Sequence, residues 1–134
     1  MRIGKLTVLA GLLALVVGSV TAFGHVKSFS STVKIDRAER IGQTQSGRYA
    51  GEVSSARERC KVDRRVQVWH DSDPPFRIGT TMTNAQGKWR LTGPAPPNGD
   101  HVYAVAARKT LLRNARHRHR CRRELSQLVK FPTG

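Results

Sequence analysis

A chain of 134 residues suits one domain rather than two. Its 24 Lys and Arg against nine Asp and Glu give a formal charge of +15, a field that attracts polyanions and anionic surfaces and opposes self-association, so a monomer is expected. Specific nucleic-acid recognition is not expected, because the chain has no recognition-helix signature, no zinc-finger spacing and no single-strand-binding aromatic set.

The first predicted element is a helical export signal over 1–22. Met1, Arg2 and Lys5 give a short basic start, residues 6–17 are almost wholly apolar, and Gly18, Ser19, Thr21 and Ala22 are small. Cleavage is expected before Phe23, with Ala22-Phe23-Gly24 as a second site and an uncleaved membrane anchor as the alternative. The apolar run is shorter than the roughly 20 residues that a confident span needs. Export to an oxidising space, secreted or in the cell envelope, makes a disulfide the expected state of Cys60 and Cys121.

Residues 23–47 read as a polar lead-in, loose over 25–31, with a short strand at 32–35 and irregular backbone over 36–47. The β domain is expected over 48–131, with a tail at 132–134. Tyr49, Gly51 and Val53 share one side of a strand period, and 57–65 is a charged connection carrying Cys60. Residues 66–70 form the clearest strand, followed by the Asp-Ser-Asp-Pro-Pro turn at 71–75. A strand is expected over 76–83, a glycine-dependent hairpin turn at 84–87, and renewed alternation over 88–91. After a breaker-rich loop at 93–99, strands are expected over 101–107 and 126–131. The Ala, Leu and Arg of 111–125 permit a helical turn. Short strands separated at intervals of about 10 residues favour an all-β sandwich or barrel over a parallel sheet with helices.

Gly51-Glu52-Val53, Cys60, 65–69 (RVQVW), 80–83 (TTMT), 87–91 (GKWRL), 102–105 (VYAV) and Cys121 together resemble secreted bacterial domains of the transthyretin-like (prealbumin-like) or carboxypeptidase-regulatory-like class. The resemblance covers residues 49–131. It implies a small Greek-key β-sandwich with one disulfide, used as a structural, adhesive or display module without catalysis. The basic stretch around Cys121 departs from that pattern, and fold resemblance confers no function by itself.

That stretch, residues 108–123, holds eight cations: Arg108, Lys109, Arg113, Arg116, Arg118, Arg120, Arg122 and Arg123. His117 and His119 lie among them, and the stretch holds no acidic residue, the next being Glu124. Guanidinium groups form paired hydrogen bonds to phosphate, sulfate or carboxylate. The expected role is a basic loop, tethered through Cys121, that contacts an anionic envelope polymer, a lipid surface or an acidic polysaccharide; a solvated loop without a ligand, and a protein partner, are the alternatives.

His117 and His119 share one side of an extended segment, with His25, His70 or His101 as a distant third imidazole. The neighbouring arginines oppose a cation, so no metal and no cofactor are expected. No nucleophile-elbow or Ser/His/Asp pattern occurs, and the aspartates are separated by turns, so no enzyme is expected. Trp69 lies opposite Val66 and Val68 in the strand period. With Tyr103 it is the candidate aromatic platform of a rival reading, a carbohydrate-binding module; a purely structural envelope protein is the other rival.

Overall fold

Strands form where side chains alternate between buried and exposed. In β2 (Thr32–Arg40) Val33 and Ile35 point inward, and a bulge between Ile35 and Arg37 shifts the period so that Ala38 is the next buried residue. In β3 (Ser46–Ser54) Tyr49, Gly51 and Val53 are buried together, as the alternation predicts. The computed structural model describes residues 24–114 and 116–134. The export signal expected over 1–22 lies outside the described residues.

The remaining strands are β1 (His25–Phe29), β4 (Arg65–His70), β5 (Phe76–Met82), β6 (Lys88–Pro94), β7 (His101–Ala106), β8 (Lys109–Arg113), β9 (His117–Cys121), β10 (Glu124–Leu125) and β11 (Val129–Lys130). They make three small sheets, ordered β2-β3-β6, β10-β7-β4-β5 with β11 also on β7, and β1-β9-β8. All pairings are antiparallel except β1 with β9. The first two sheets share one apolar cluster in which Val33, Tyr49 and Trp89 meet Val66, Val68 and Val102, with Phe131 completing it.

Two glycines are demanded by close approach. Gly87 sits at φ +79° in the turn between β5 and β6, a conformation that costs glycine little. Gly51 lies beneath Trp89, where an added Cβ would stand 2.5 Å from the indole Cζ2 and 2.0 Å from the Lys34 carbonyl oxygen. Gly51→Ala must therefore push β2 or the indole aside. A loss of about 1–3 kcal/mol is expected in urea unfolding; an unchanged midpoint would mean that β2 and β3 yield without cost.

Three segments differ from the sequence reading. Residues 25–29 are strand β1, not a loose lead-in, and β2 runs on to Arg40. The stretch that permits a helical turn is instead extended as β8 and β9. Pairing with neighbouring strands overrides a weak helix preference there. The basic segment is thus largely a hairpin rather than a loop. At the C-terminal end only Val129–Lys130 of the strand expected over 126–131 is paired, and Glu124–Leu125 forms a separate short strand.

The β1-β9-β8 sheet is tied to the rest at the Cys121 end. Cys60 closes a short 3₁₀ turn (Glu58–Cys60) and is bonded to Cys121 with Cα atoms 5.5 Å apart, both residues being fully buried. Beside this link lies Arg64, also fully buried. Its guanidinium donates to the carbonyls of Cys60 (2.7 Å), Ala107 (2.5 Å) and Arg122 (2.5 Å) and to Ser31 Oγ (3.1 Å). One side chain thereby joins the 3₁₀ turn, the β1–β2 connection, the end of β7 and the β9–β10 connection.

Candidate functional site

The chemistry-bearing residues collect on the β1-β9-β8 sheet, and strand periodicity sorts them. Along β9 the sequence His117-Arg118-His119-Arg120-Cys121 alternates, so imidazoles and guanidiniums leave on opposite faces. The parallel register sets His25 against His117, Lys27 against His119 and Phe29 against Cys121. On the other side of β9, Leu112 stands opposite His119 and Arg113 opposite Arg118. One face therefore carries His25, Lys27, Phe29, Leu112, His117 and His119; the other carries Val26, Ser28, Arg113, Arg118 and Arg120.

Local hydrogen bonds fix this arrangement. Asn114 Oδ1 accepts from the backbone N–H groups of Arg116 (2.9 Å) and His117 (2.7 Å), and the Asn114 N–H donates to the His117 carbonyl (2.9 Å). Asparagine serves such turns because its side chain mimics a backbone acceptor. At the two ends of β1, the His25 N–H donates to Arg116 O (2.8 Å) and the Arg122 N–H donates to Phe29 O (3.0 Å).

On the guanidinium face no carboxylate occurs in β1, β8 or β9. Arg113 and Arg118 face each other in register, both exposed, and Arg120 donates to Ser28 Oγ at 3.2 Å. Like charges directly opposite in a sheet oppose the pairing. The other residues expected to contact anions divide. Lys109 is used internally, its ammonium donating to the carbonyls of Arg59 (3.0 Å) and Val62 (2.6 Å), and burial pulls its pKa down. Arg122 lies 3.7 Å from Glu124. Arg108, Arg116 and Arg123 are exposed in the flanking connections.

On the opposite face three imidazoles surround one another. Ring centroids are 6.0 Å apart for His25–His117, 6.2 Å for His25–His119 and 6.2 Å for His117–His119, each pair edge-on. Partial desolvation, then the neighbouring His117, His25, Lys27 and Arg57, pulls the His119 pKa below the ordinary imidazole value. Lys27 and Arg57 both lie over the Phe29 ring, at 5.4 and 4.9 Å from its centroid. Among the described residues no group of three or more His, Cys, Asp or Glu side chains is placed so that it could hold a metal ion. His70 and His101 stay apart from this cluster: His70 Nε2 is 2.8 Å from Asp100 Oδ2, and His101 is exposed on β7 opposite Lys130.

Trp69 and Tyr103, the candidate platform, are direct cross-strand partners on β4 and β7, on the face opposite Val66 and Val68. Both are half-buried, and Trp69 Nε1 donates to Gln67 Oε1 at 3.3 Å. Trp89, by contrast, is a core residue at 2% exposure, and its Nε1 has no hydrogen-bond partner among the described residues. An open groove lined by Asp36, Gly51, Lys88 and Arg90 lies beside it.

The sequence pattern marked His117, His119 and the arginines and named His25 with His70 and His101 as a distant third imidazole, but could not single out His25 as the one beside them. The only available signal was its polar alternation, His25-Val26-Lys27-Ser28-Phe29, which carries no apolar period. Comparison with protein-family models, with curated proteins and with solved structures found no match.

Proposed function

We propose that this chain is an exported, non-catalytic cell-envelope or extracellular module whose guanidinium face engages an anionic polymer, lipid surface or acidic polysaccharide. The finer fold reading that goes with it is a Greek-key sandwich of the transthyretin-like class, acting as a monomer. One observation carries the functional reading: Arg113, Arg118 and Arg120 share an exposed sheet face whose three strands hold no carboxylate. The in-register Arg113–Arg118 pair opposes strand pairing until an anion lies between the two groups. Phosphate, sulfate or carboxylate suits forked guanidinium donors, and a sheet tethered by a disulfide presents them with little ordering cost.

The test is binding of a glycerol-phosphate polymer and an acidic polysaccharide by the wild type and by the Arg113→Ser, Arg118→Ser, Arg120→Ser triple variant across a salt series. Affinity should fall steeply with salt, and the triple variant should bind at least about tenfold more weakly with a log–log slope shallower by about 2. Equal slopes for the two proteins would remove this face from the interaction. A second reading, carbohydrate binding by sheet aromatics, draws its support from the in-register pairing of Trp69 with Tyr103. It requires neutral-sugar affinity that survives high salt and is lost in Trp69→Ala.

A further inference from the structure

We propose that His25, His117 and His119 form a surface site for a divalent transition metal of the imidazole-preferring class, zinc or copper, with the remaining coordination position open to solvent. The expectation of no metal rested on the adjacent arginines, with His25 only one of three candidates for a distant third imidazole. Both points meet specific geometry. The parallel β1–β9 register brings His25 beside His117, so the third imidazole comes from residues 92 positions away in sequence but neighbouring in the sheet. The alternation of β9 sends Arg118 and Arg120 to the opposite face.

The three rings make a nearly equilateral triangle with centroids 6.0, 6.2 and 6.2 Å apart. Imidazoles sharing a tetrahedral ion at about 2.0–2.1 Å would have centroids about 5 Å apart. Closing each side by about 1 Å needs only rotation of side chains about χ1 and χ2. His25 and His117 are exposed and free to turn. Among the described residues no hydrogen bond engages the ring nitrogens of His25, His117 or His119, whereas His70 is held by Asp100. Their donor atoms are thus available to a metal, and imidazole is the nitrogen ligand that zinc and copper favour.

The charges on this face, Lys27 and Arg57, gather over the Phe29 ring at the His119 side of the triangle, Lys27 being in register with His119, and leave the His25–His117 edge clear. Phe29 is at the opposite end of β1 from His25. With no carboxylate or carbonyl orienting the imidazoles from behind, the site binds an exchangeable ion rather than a permanent one. The polyanion reading uses the other face, so the two stand or fall separately.

Calorimetric titration of the oxidised, metal-free protein with zinc at neutral pH tests the site. One saturable equivalent is expected, and His25→Ala, His117→Ala and His119→Ala should each weaken it by at least about tenfold. His101→Ala, on another sheet, should leave it unchanged. Zinc should also raise the melting temperature of the wild type and of His101→Ala, but not of the three ligand variants. Histidine-to-glutamine versions, folded by circular dichroism, guard against loss of the β1–β9 pairing as the cause. Absence of a saturable equivalent in the wild type would overturn the proposal. So would unchanged affinity in any of the three ligand variants, or an equal loss in His101→Ala.

Discussion

Arg64→Met is expected to destabilise the folded chain by about 3–5 kcal/mol, read as a lower urea midpoint with unchanged slope. The buried guanidinium directs four of its five N–H groups to protein acceptors: Nε to Ala107 O, Nη1 to Ser31 Oγ and Cys60 O, and Nη2 to Arg122 O. Methionine fills similar space but leaves three carbonyls without their donor, at about 1–3 kcal/mol for each one kept from water. The cost of keeping the charge in the interior offsets part of that loss. Burial pulls the Arg64 pKa down and Glu124 acts against the shift, yet a guanidinium keeps its proton in a protein. Arg64→Lys should recover little, because an ammonium cannot span four acceptors placed for a planar fork. Stability within 1 kcal/mol of wild type in Arg64→Met, an arbitrary but generous margin of about one ordinary hydrogen bond, would show that water replaces the guanidinium freely.

Arg64 also shows where the sequence falls silent. It lies in a charged run, Arg57 to Arg65, that reads as a solvated connection, and only its phase with Val66 and Val68, two and four residues on, separates it from the exposed Arg65 next to it. Its burial depends on the ends of four separate segments arriving at one place. The strands with apolar alternation were legible for the opposite reason: Tyr49, Gly51 and Val53 on β3, and Val66 and Val68 on β4, announce their inner face locally. Strands β1, β8 and β9 carry no apolar residues at alternate positions, so pattern could not place them, and pairing partners decided their form. The same blindness left His25 undistinguished from His70 and His101 as the third imidazole, since parallel pairing across the chain leaves no short-range sequence trace. The cysteine pair was legible because there were only two.

Removing the disulfide should bring the second large loss. Cys60 and Cys121 are 61 residues apart, and a bridge over a loop of that length constrains the unfolded chain by roughly 4 kcal/mol. Cys60→Ser with Cys121→Ser should therefore lower stability by about that amount, measured in urea without reductant. The bridge and Arg64 grip the same junction, since Arg64 holds the carbonyls of Cys60 and of Arg122, the residue after Cys121. Their losses should not add. A double-mutant cycle is expected to show a coupling of about 0.5–3 kcal/mol, with the second change costing less once the first has loosened the junction. Strict additivity would mean that the two links act on independent parts of the fold. The consequences should also be spatially graded. Cys121 ends β9, so hydrogen exchange in the serine variant should rise first in β1, β8 and β9, while β4 and β7 stay protected. Uniform loss of protection across all three sheets would show that the bridge secures the whole domain rather than the sheet that carries its imidazoles and arginines.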